Sequence, residues 1–120
     1  MDIQWREDQP IYLQLRDRVK GMILDGSLPE GEILPSVRQV ASQFQLNPIT
    51  VMKSYQTLVD DGIVEKKRGI GMYCLEGARN KLLAQEKMQF VTEEWPRIVT
   101  QIRQLGLKPE ELLSALEGEE

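Results

Sequence analysis

Two helix starts set close together, Ser36 followed by Gln39 and Asn47 followed by Pro48, constrain this chain more than any other feature. The first pair makes a reciprocal capping box, and the second is an N-cap with proline at the first helical position, where its missing N–H costs nothing. Each start leads into an apolar stripe at helical spacing. Val37, Val40, Ala41 and Phe44 follow the first, and Val51, Tyr55, Leu58 and Val59 follow the second. Gln45-Leu46-Asn47 supplies the turn between them, and Gly62 ends the second helix. Upstream, Ile11, Leu15, Val19, Met22 and Ile23 predict a helix starting near Pro10 and stopping at Gly26. Leu28-Pro29-Glu30-Gly31 then reads as a turn. Downstream, Ile63-Val64-Glu65 and Met72-Tyr73-Cys74-Leu75 read as two strands around residues 66–71. Gly69 and Gly71 permit the positive φ that a hairpin tip needs. Helix, helix, helix and hairpin is the order of a winged helix-turn-helix.

Residues 78–105 are a different object. Ala84, Met88, Val91, Trp95, Ile98, Ile102 and Leu105 recur at alternating steps of four and three, the seam pattern of a coiled coil. Pro96 lacks a backbone donor, so a bend is expected over residues 92–96. Gly106 breaks this helix, and Pro109-Glu110-Glu111 opens a short final one carrying Leu112, Leu113 and Leu116. The expected fold is therefore mainly α with a small β-hairpin. Residues 1–75 form an N-terminal winged helix-turn-helix, and residues 76–120 a C-terminal two-helix dimerisation tail. A helix of about 28 residues is roughly 40 Å long, more than so small a domain covers. The tail either packs on its own domain or meets a second copy. Its length favours the copy, with Met88, Val91, Trp95, Ile98, Ile102 and Leu105 at the interface.

Composition narrows the chemistry. The chain has 120 residues, a single cysteine and no histidine. That excludes an internal disulfide, multi-thiolate metal sites and histidine-based acid–base catalysis. No long apolar run and no signal-peptide pattern are present, since Arg6, Glu7 and Asp8 interrupt the N-terminus; a cytoplasmic protein is expected. The net charge of −4 is uneven, because no Asp or Glu occurs between Glu32 and Asp60, or between Glu65 and Glu76. A polyanion responds to the local face rather than to the total.

Burying Val51, Tyr55 and Leu58 turns Ile49, Lys53, Gln56 and Thr57 outward, with Thr50 and Ser54 on the flank. A helix entering a DNA groove uses its N-terminal residues, which makes Asn47, Ile49, Thr50 and Lys53 the best-placed group. Thr50 suits a phosphate or base edge, Lys53 a guanine or phosphate, and Ile49 a thymine methyl. On a lone helix such residues are ordinarily just solvated. The capped helix before and the basic hairpin after favour DNA. Lys66-Lys67-Arg68 with Gly69 is usually plain surface charge as well, but beside a candidate recognition helix it suits a backbone contact. Arg38, a turn beyond Ser36, serves equally as a surface ion-pair partner.

Leu34-Pro35-Ser36-x-Arg38, Asn47-Pro48-x-Thr50-Val51, Asp61-Gly62-x-Val64 and Arg68-Gly69-x-Gly71 together resemble the DNA-binding domain of GntR-family transcription regulators. The likeness covers residues 8–75, and the short tail is similar to that of the YtrA subfamily, which lacks large effector domains. The resemblance implies a dimer on palindromic operator DNA, often at transporter operons, with Ser36, Arg38, Thr50 and Gly69 at DNA-contacting positions. Many relatives carry arginine where Pro48 and Met52 stand here, which shifts the expected base reading to Asn47 and Lys53.

An enzyme is not expected: the carboxylates lack a nucleophile pair or phosphate loop, and Gly69-Ile70-Gly71 lacks the rest of a dinucleotide motif. Cys74 reads as a packing residue in a strand, with a redox role the alternative. No cofactor or metal is implied. The leading expectation is a homodimeric operator-binding regulator, a repressor of a small operon. The alternative is a winged-helix protein-interaction module. A small-molecule effector held by Met88, Phe90 and Trp95 stays open beside either, although residues so spaced are more often core.

Overall fold

The computed structural model describes residues 4–118, so the ends of the two expected segments, residues 1–3 and 119–120, lie outside it. In chain order come α1 (Ile11–Asp25), α2 (Val37–Phe44), α3 (Pro48–Asp60), β1 (Val64–Lys67) and β2 (Gly71–Cys74). Then follow α4 (Ala78–Gln89), a π-helical turn (Phe90–Glu94), α5 (Trp95–Leu105) and α6 (Pro109–Leu116). The mainly helical architecture with one small hairpin is the one expected. The chain divides into two compact units between Leu83 and Ala84. None of the described helices is long and apolar enough to cross a membrane.

In the first unit the helix boundaries follow their local chemistry. Pro10 has an extended ψ of 143°, so α1 begins at the next residue, close to the expected start, with the Pro10 carbonyl accepting from Leu13 and Gln14. Gly26, at φ 87°, closes it. The capping box of α2 is complete: Ser36 Oγ accepts from the Gln39 N–H at 3.1 Å, and Gln39 Oε1 accepts from the Ser36 N–H at 2.9 Å. At α3, Asn47 Oδ1 accepts from the Ile49 N–H at 2.9 Å.

One core joins these helices. Leu15, Val19 and Ile23 come from α1, Val40 and Ala41 from α2, and Val51, Tyr55 and Leu58 from α3. Ile63, Val64, Cys74, Ala78 and Leu82 complete it. Each large aliphatic side chain so buried contributes about 1.5–3 kcal/mol of transfer free energy. Ala78 and Leu82 also explain why the first turns of α4 belong to this unit. Ser54, expected on the flank of α3, is instead fully buried, because the buried stripe is broad enough to include it.

The hairpin differs from expectation in two respects. β1 continues through Lys67 rather than ending at Glu65, pairing Val64 with Cys74, Glu65 with Tyr73, Lys66 with Met72 and Lys67 with Gly71. Residues 31–34, which follow and overlap the turn read at residues 28–31, also pair onto β2. Gly31 N–H reaches Cys74 O at 2.7 Å, Cys74 N–H reaches Glu32 O at 2.9 Å, and Leu34 N–H reaches Met72 O at 2.8 Å. A bridge links Ile33 with Tyr73.

In the second unit, the bend expected over residues 92–96 takes the form of the π-helical turn, where Trp95 N–H bonds Phe90 O. Proline at position 96 cannot donate, and its ring would crowd the Thr92 carbonyl in a regular α-helix. Widening the turn before it relieves both. Gly106, at φ 68°, ends α5, and Glu110 and Glu111 occupy the first turn of α6.

Glu30 secures the start of α4. Its carboxylate accepts from the Gly77 and Arg79 N–H groups, both at 3.0 Å, satisfying donors that a helix start leaves unpaired. Arg79 Nε in turn donates to the Leu24 carbonyl at 3.0 Å. The bond from Gly77, then that from Arg79, holds the Glu30 carboxyl below its ordinary 4.5. A depressed folded-state value stabilises the fold above 4.5 and loses that contribution as pH falls through it. Glu30→Gln should therefore flatten the acid limb of thermal unfolding between neutral pH and about pH 3. Parallel acid limbs in the two proteins would show that the carboxylate holds nothing.

Candidate nucleic-acid interface

α3 presents a sharply divided surface. Val51, Ser54, Tyr55 and Leu58 are buried, while Ile49 is 62% and Met52 58% exposed. Lys53 and Gln56 are also exposed on that side, and Thr50 is half-buried at its edge. Of the expected outward set Ile49, Lys53 and Gln56 are exposed, joined by Met52, which the helical phasing of the sequence left out although it lies three residues from Ile49. Thr57, also expected outward, is half-buried and donates its hydroxyl to Ser54 O at 2.6 Å.

Local bonds determine what each polar side chain can still offer. Asn47 commits one lone pair of its carboxamide oxygen to the helix start, and its NH2 group is left for a partner. Adenine recognition by asparagine uses both ends of the amide, so here it would share the oxygen with the helix cap. Gln56 Nε2 donates to Asp60 Oδ1 at 2.9 Å. Lys53 Nζ lies 5.9 Å from the Tyr12 ring centroid, leaning towards α1. On α2, Ser36 Oγ accepts the capping bond but keeps its own proton to donate, and Arg38 is exposed.

The tip of the hairpin is a turn in which Ile70 N–H bonds Lys67 O at 3.1 Å. Gly69 sits in it at φ 79°, a conformation that side-chain-bearing residues rarely adopt. Lys66, Lys67, Arg68 and Gly69 are all exposed. Strand alternation separates the two lysines, however: Lys66 pairs across from Met72, whereas Lys67 points to the opposite face. There its ammonium lies 4.5 Å from the Tyr73 ring centroid. The basic triplet is therefore distributed around the wing rather than gathered on one side.

In the tail, Met88, Val91, Trp95 and Leu105 are exposed and Ile98 and Ile102 half-buried in the single chain. The Phe90 and Trp95 rings lie 6.4 Å apart. The π-helical turn, Phe90–Glu94, takes in Val91 and lies between Met88 and Trp95, so the seam changes phase there instead of running straight as a uniform helix would take it.

The model of bacterial regulatory proteins of the gntR family matches residues 11–74, from the start of α1 to the end of β2. The chain belongs to the GntR family. The HTH-type transcriptional regulator YhcF of Bacillus subtilis is 35% identical over 97% of this chain and 94% of its own length. The HTH-type transcriptional repressor YtrA of the same organism is also 35% identical, over 93% of this chain and 85% of its own. A GntR-family regulator from Bacteroides thetaiotaomicron has the same fold, with a TM-score of 0.74 and 35% identity, covering 90% of this chain and 94% of that one. This GntR protein is thus a winged-helix DNA-binding transcription regulator of the YtrA-like type rather than an enzyme.

Two buried hydroxyls lie behind α3, and one of them holds its orientation. Tyr55 donates its hydroxyl to the Pro35 carbonyl at 2.6 Å, tying the middle of α3 to the entrance of α2, and burial pushes the phenol up to about 12. The Ser54 hydroxyl is buried with no hydrogen-bond partner. Tyr55→Phe should cost about 1 kcal/mol in chemical denaturation, since it strands a carbonyl. Ser54→Ala should leave stability unchanged or raise it by up to about 1 kcal/mol, because the hydroxyl it removes has no bond to lose. A marked loss with Ser54→Ala would reveal a partner for that hydroxyl.

Proposed function

We propose that this GntR protein is a cytoplasmic homodimer that binds a palindromic operator sequence-specifically and represses a small operon, such as one encoding a transporter. The observation that carries this reading is the exposed N-terminal half of α3. It lies in a stretch without a carboxylate from residue 33 to residue 59, in the same compact unit as the Lys66-Lys67-Arg68 wing. On this reading α3 enters the major groove. Thr50 and Lys53 meet base edges or phosphates, and the Asn47 NH2 group donates to the backbone. Ser36 and Arg38 donate to phosphates, and Lys67, Arg68 and the Gly69 turn contact the neighbouring strand.

Dimerisation follows from the tail. The exposed Met88, Val91, Trp95 and Leu105, flanking half-buried Ile98 and Ile102, leave apolar surface that a second copy would cover. Two copies place two recognition helices on half-sites about one DNA turn apart. The YtrA name supports the repressor role, since that relative is a repressor.

Anisotropy titrations on selected genomic duplexes test the proposal. Thr50→Ala and Lys53→Ala should each weaken binding, and log affinity should fall linearly with log salt concentration. Lys67→Ala or Arg68→Ala should make that slope shallower by about 0.9 for each phosphate contact removed. Ile102→Asp should sediment as a monomer and lose preference for two half-sites over one. Wild-type affinity in both α3 variants, or a monomeric wild type at micromolar concentration, would overturn the reading.

A further inference from the structure

The face that α3 turns outward is less polar than the groove it would enter. Ile49 and Met52, three residues apart, lie on one side of the helix, and both expose more than half their surface. Most polar neighbours have a local contact: the Asn47 oxygen caps the helix, Gln56 bonds Asp60, and Lys53 leans to Tyr12. What the N-terminal half of α3 exposes most is therefore an apolar pair, beside the half-buried Thr50 and within a stretch of chain that carries no carboxylate. Its charge setting suits a polyanion, and the major groove of DNA carries one apolar feature, the C5 methyl group of thymine.

We propose that Ile49 and Met52 are specificity-determining residues that read thymine methyl groups in each half-site, selecting sequence mainly by apolar contact rather than by bidentate hydrogen bonds. The inference rests on the operator-binding reading above. The two isoleucine branches and the long, pliable methionine chain can cover methyls on neighbouring base pairs. Substituting cytosine or guanine there removes the methyl and presents polar atoms that these side chains cannot satisfy.

The test starts from duplexes selected out of a random pool by the full-length protein. Each thymine retained by the selection is then replaced by uracil, which deletes the methyl and leaves base pairing and the hydrogen-bonding edge intact. Burying one methyl-sized group is worth roughly a fourfold change in affinity, so at one or more positions uracil should weaken binding about that much. In Ile49→Ser with Met52→Gln, the uracil penalty should vanish at those positions and persist elsewhere. Both side chains are exposed, so the variant should keep its unfolding temperature, and Ile49→Val with Met52→Leu should restore the penalty. A selected consensus indifferent to uracil at every thymine would overturn this inference while leaving operator binding standing. Failure to select any sequence would instead remove the reading beneath it. Unaltered DNA binding in the double variant, with a change only in sedimentation, would assign the pair to self-association and likewise overturn the inference.

Discussion

The rotation of α3 about its own axis is the constraint on which the rest of the site depends. Val51, Ser54, Tyr55 and Leu58 are buried in the core shared with α1 and α2, and turning the helix would withdraw them from it. Losing even one large aliphatic contact in such a core costs about 2–5 kcal/mol. A surface ion pair such as Lys20 with Asp61, at 3.6 Å, is worth a fraction of that. The buried side therefore decides which residues face outward, and Ile49, Met52, Lys53 and Gln56 have no freedom to trade places with it. The Tyr55 bond to Pro35 and the Asn47 cap refine the same arrangement, one at the middle of the helix and one at its start.

A second set of contacts closes the unit from its far end. Glu30 reaches residues 47 and 49 positions later in sequence, and the Arg79 guanidinium returns to Leu24. Lys81 lies over Gly62, whose φ of 73° and missing Cβ leave the space that the ammonium occupies. Together with the burial of Ala78 and Leu82, these contacts make the opening of α4 part of the first unit's core rather than a free linker. A force or displacement applied to the beginning of α4 would be felt at the loop after α1 and at the turn after α3.

What was legible in the sequence follows the range of the interaction responsible. Capping is local, so Ser36 with Gln39, Asn47 with Pro48, Gly26 and Gly106 marked their helix ends to within a residue. Helical periodicity likewise exposed the inner face of α3 at Val51, Tyr55 and Leu58. Ser54 escaped because a small hydroxylic residue carries no apolar signal, although its phase lies inside the stripe. The pairing of residues 31–34 with β2 escaped because its partners lie some forty residues away, and nothing local distinguishes Ile33-Leu34 from a loop. The separation of Lys66 from Lys67 depends on β1 extending past Glu65. A triplet of cations cannot announce which of its members falls on which side of a strand. Pro96 signalled a disturbance in the tail, but its resolution as a wide turn depends on small differences between alternative backbone paths.

The charge distribution connects this geometry with selectivity. A whole-chain charge of −4 opposes indiscriminate attachment to a polyanion, because distant carboxylates repel it from most orientations. Residues 33–59 and 66–75, which include most of α3 and the tip of the wing, carry no carboxylate, and there the cations are partly engaged with rings: Lys67 with Tyr73, Lys53 with Tyr12. Held in this way, each ammonium keeps its charge but gives up some of the freedom that would let it follow any phosphate. Under the proposed operator-binding reading, the electrostatic contribution is thus modest and directional, and it does not by itself distinguish one sequence from another. Discrimination must then come from surfaces whose fit depends on the bases. On α3, the most exposed apolar residues that can supply such a surface are Ile49 and Met52.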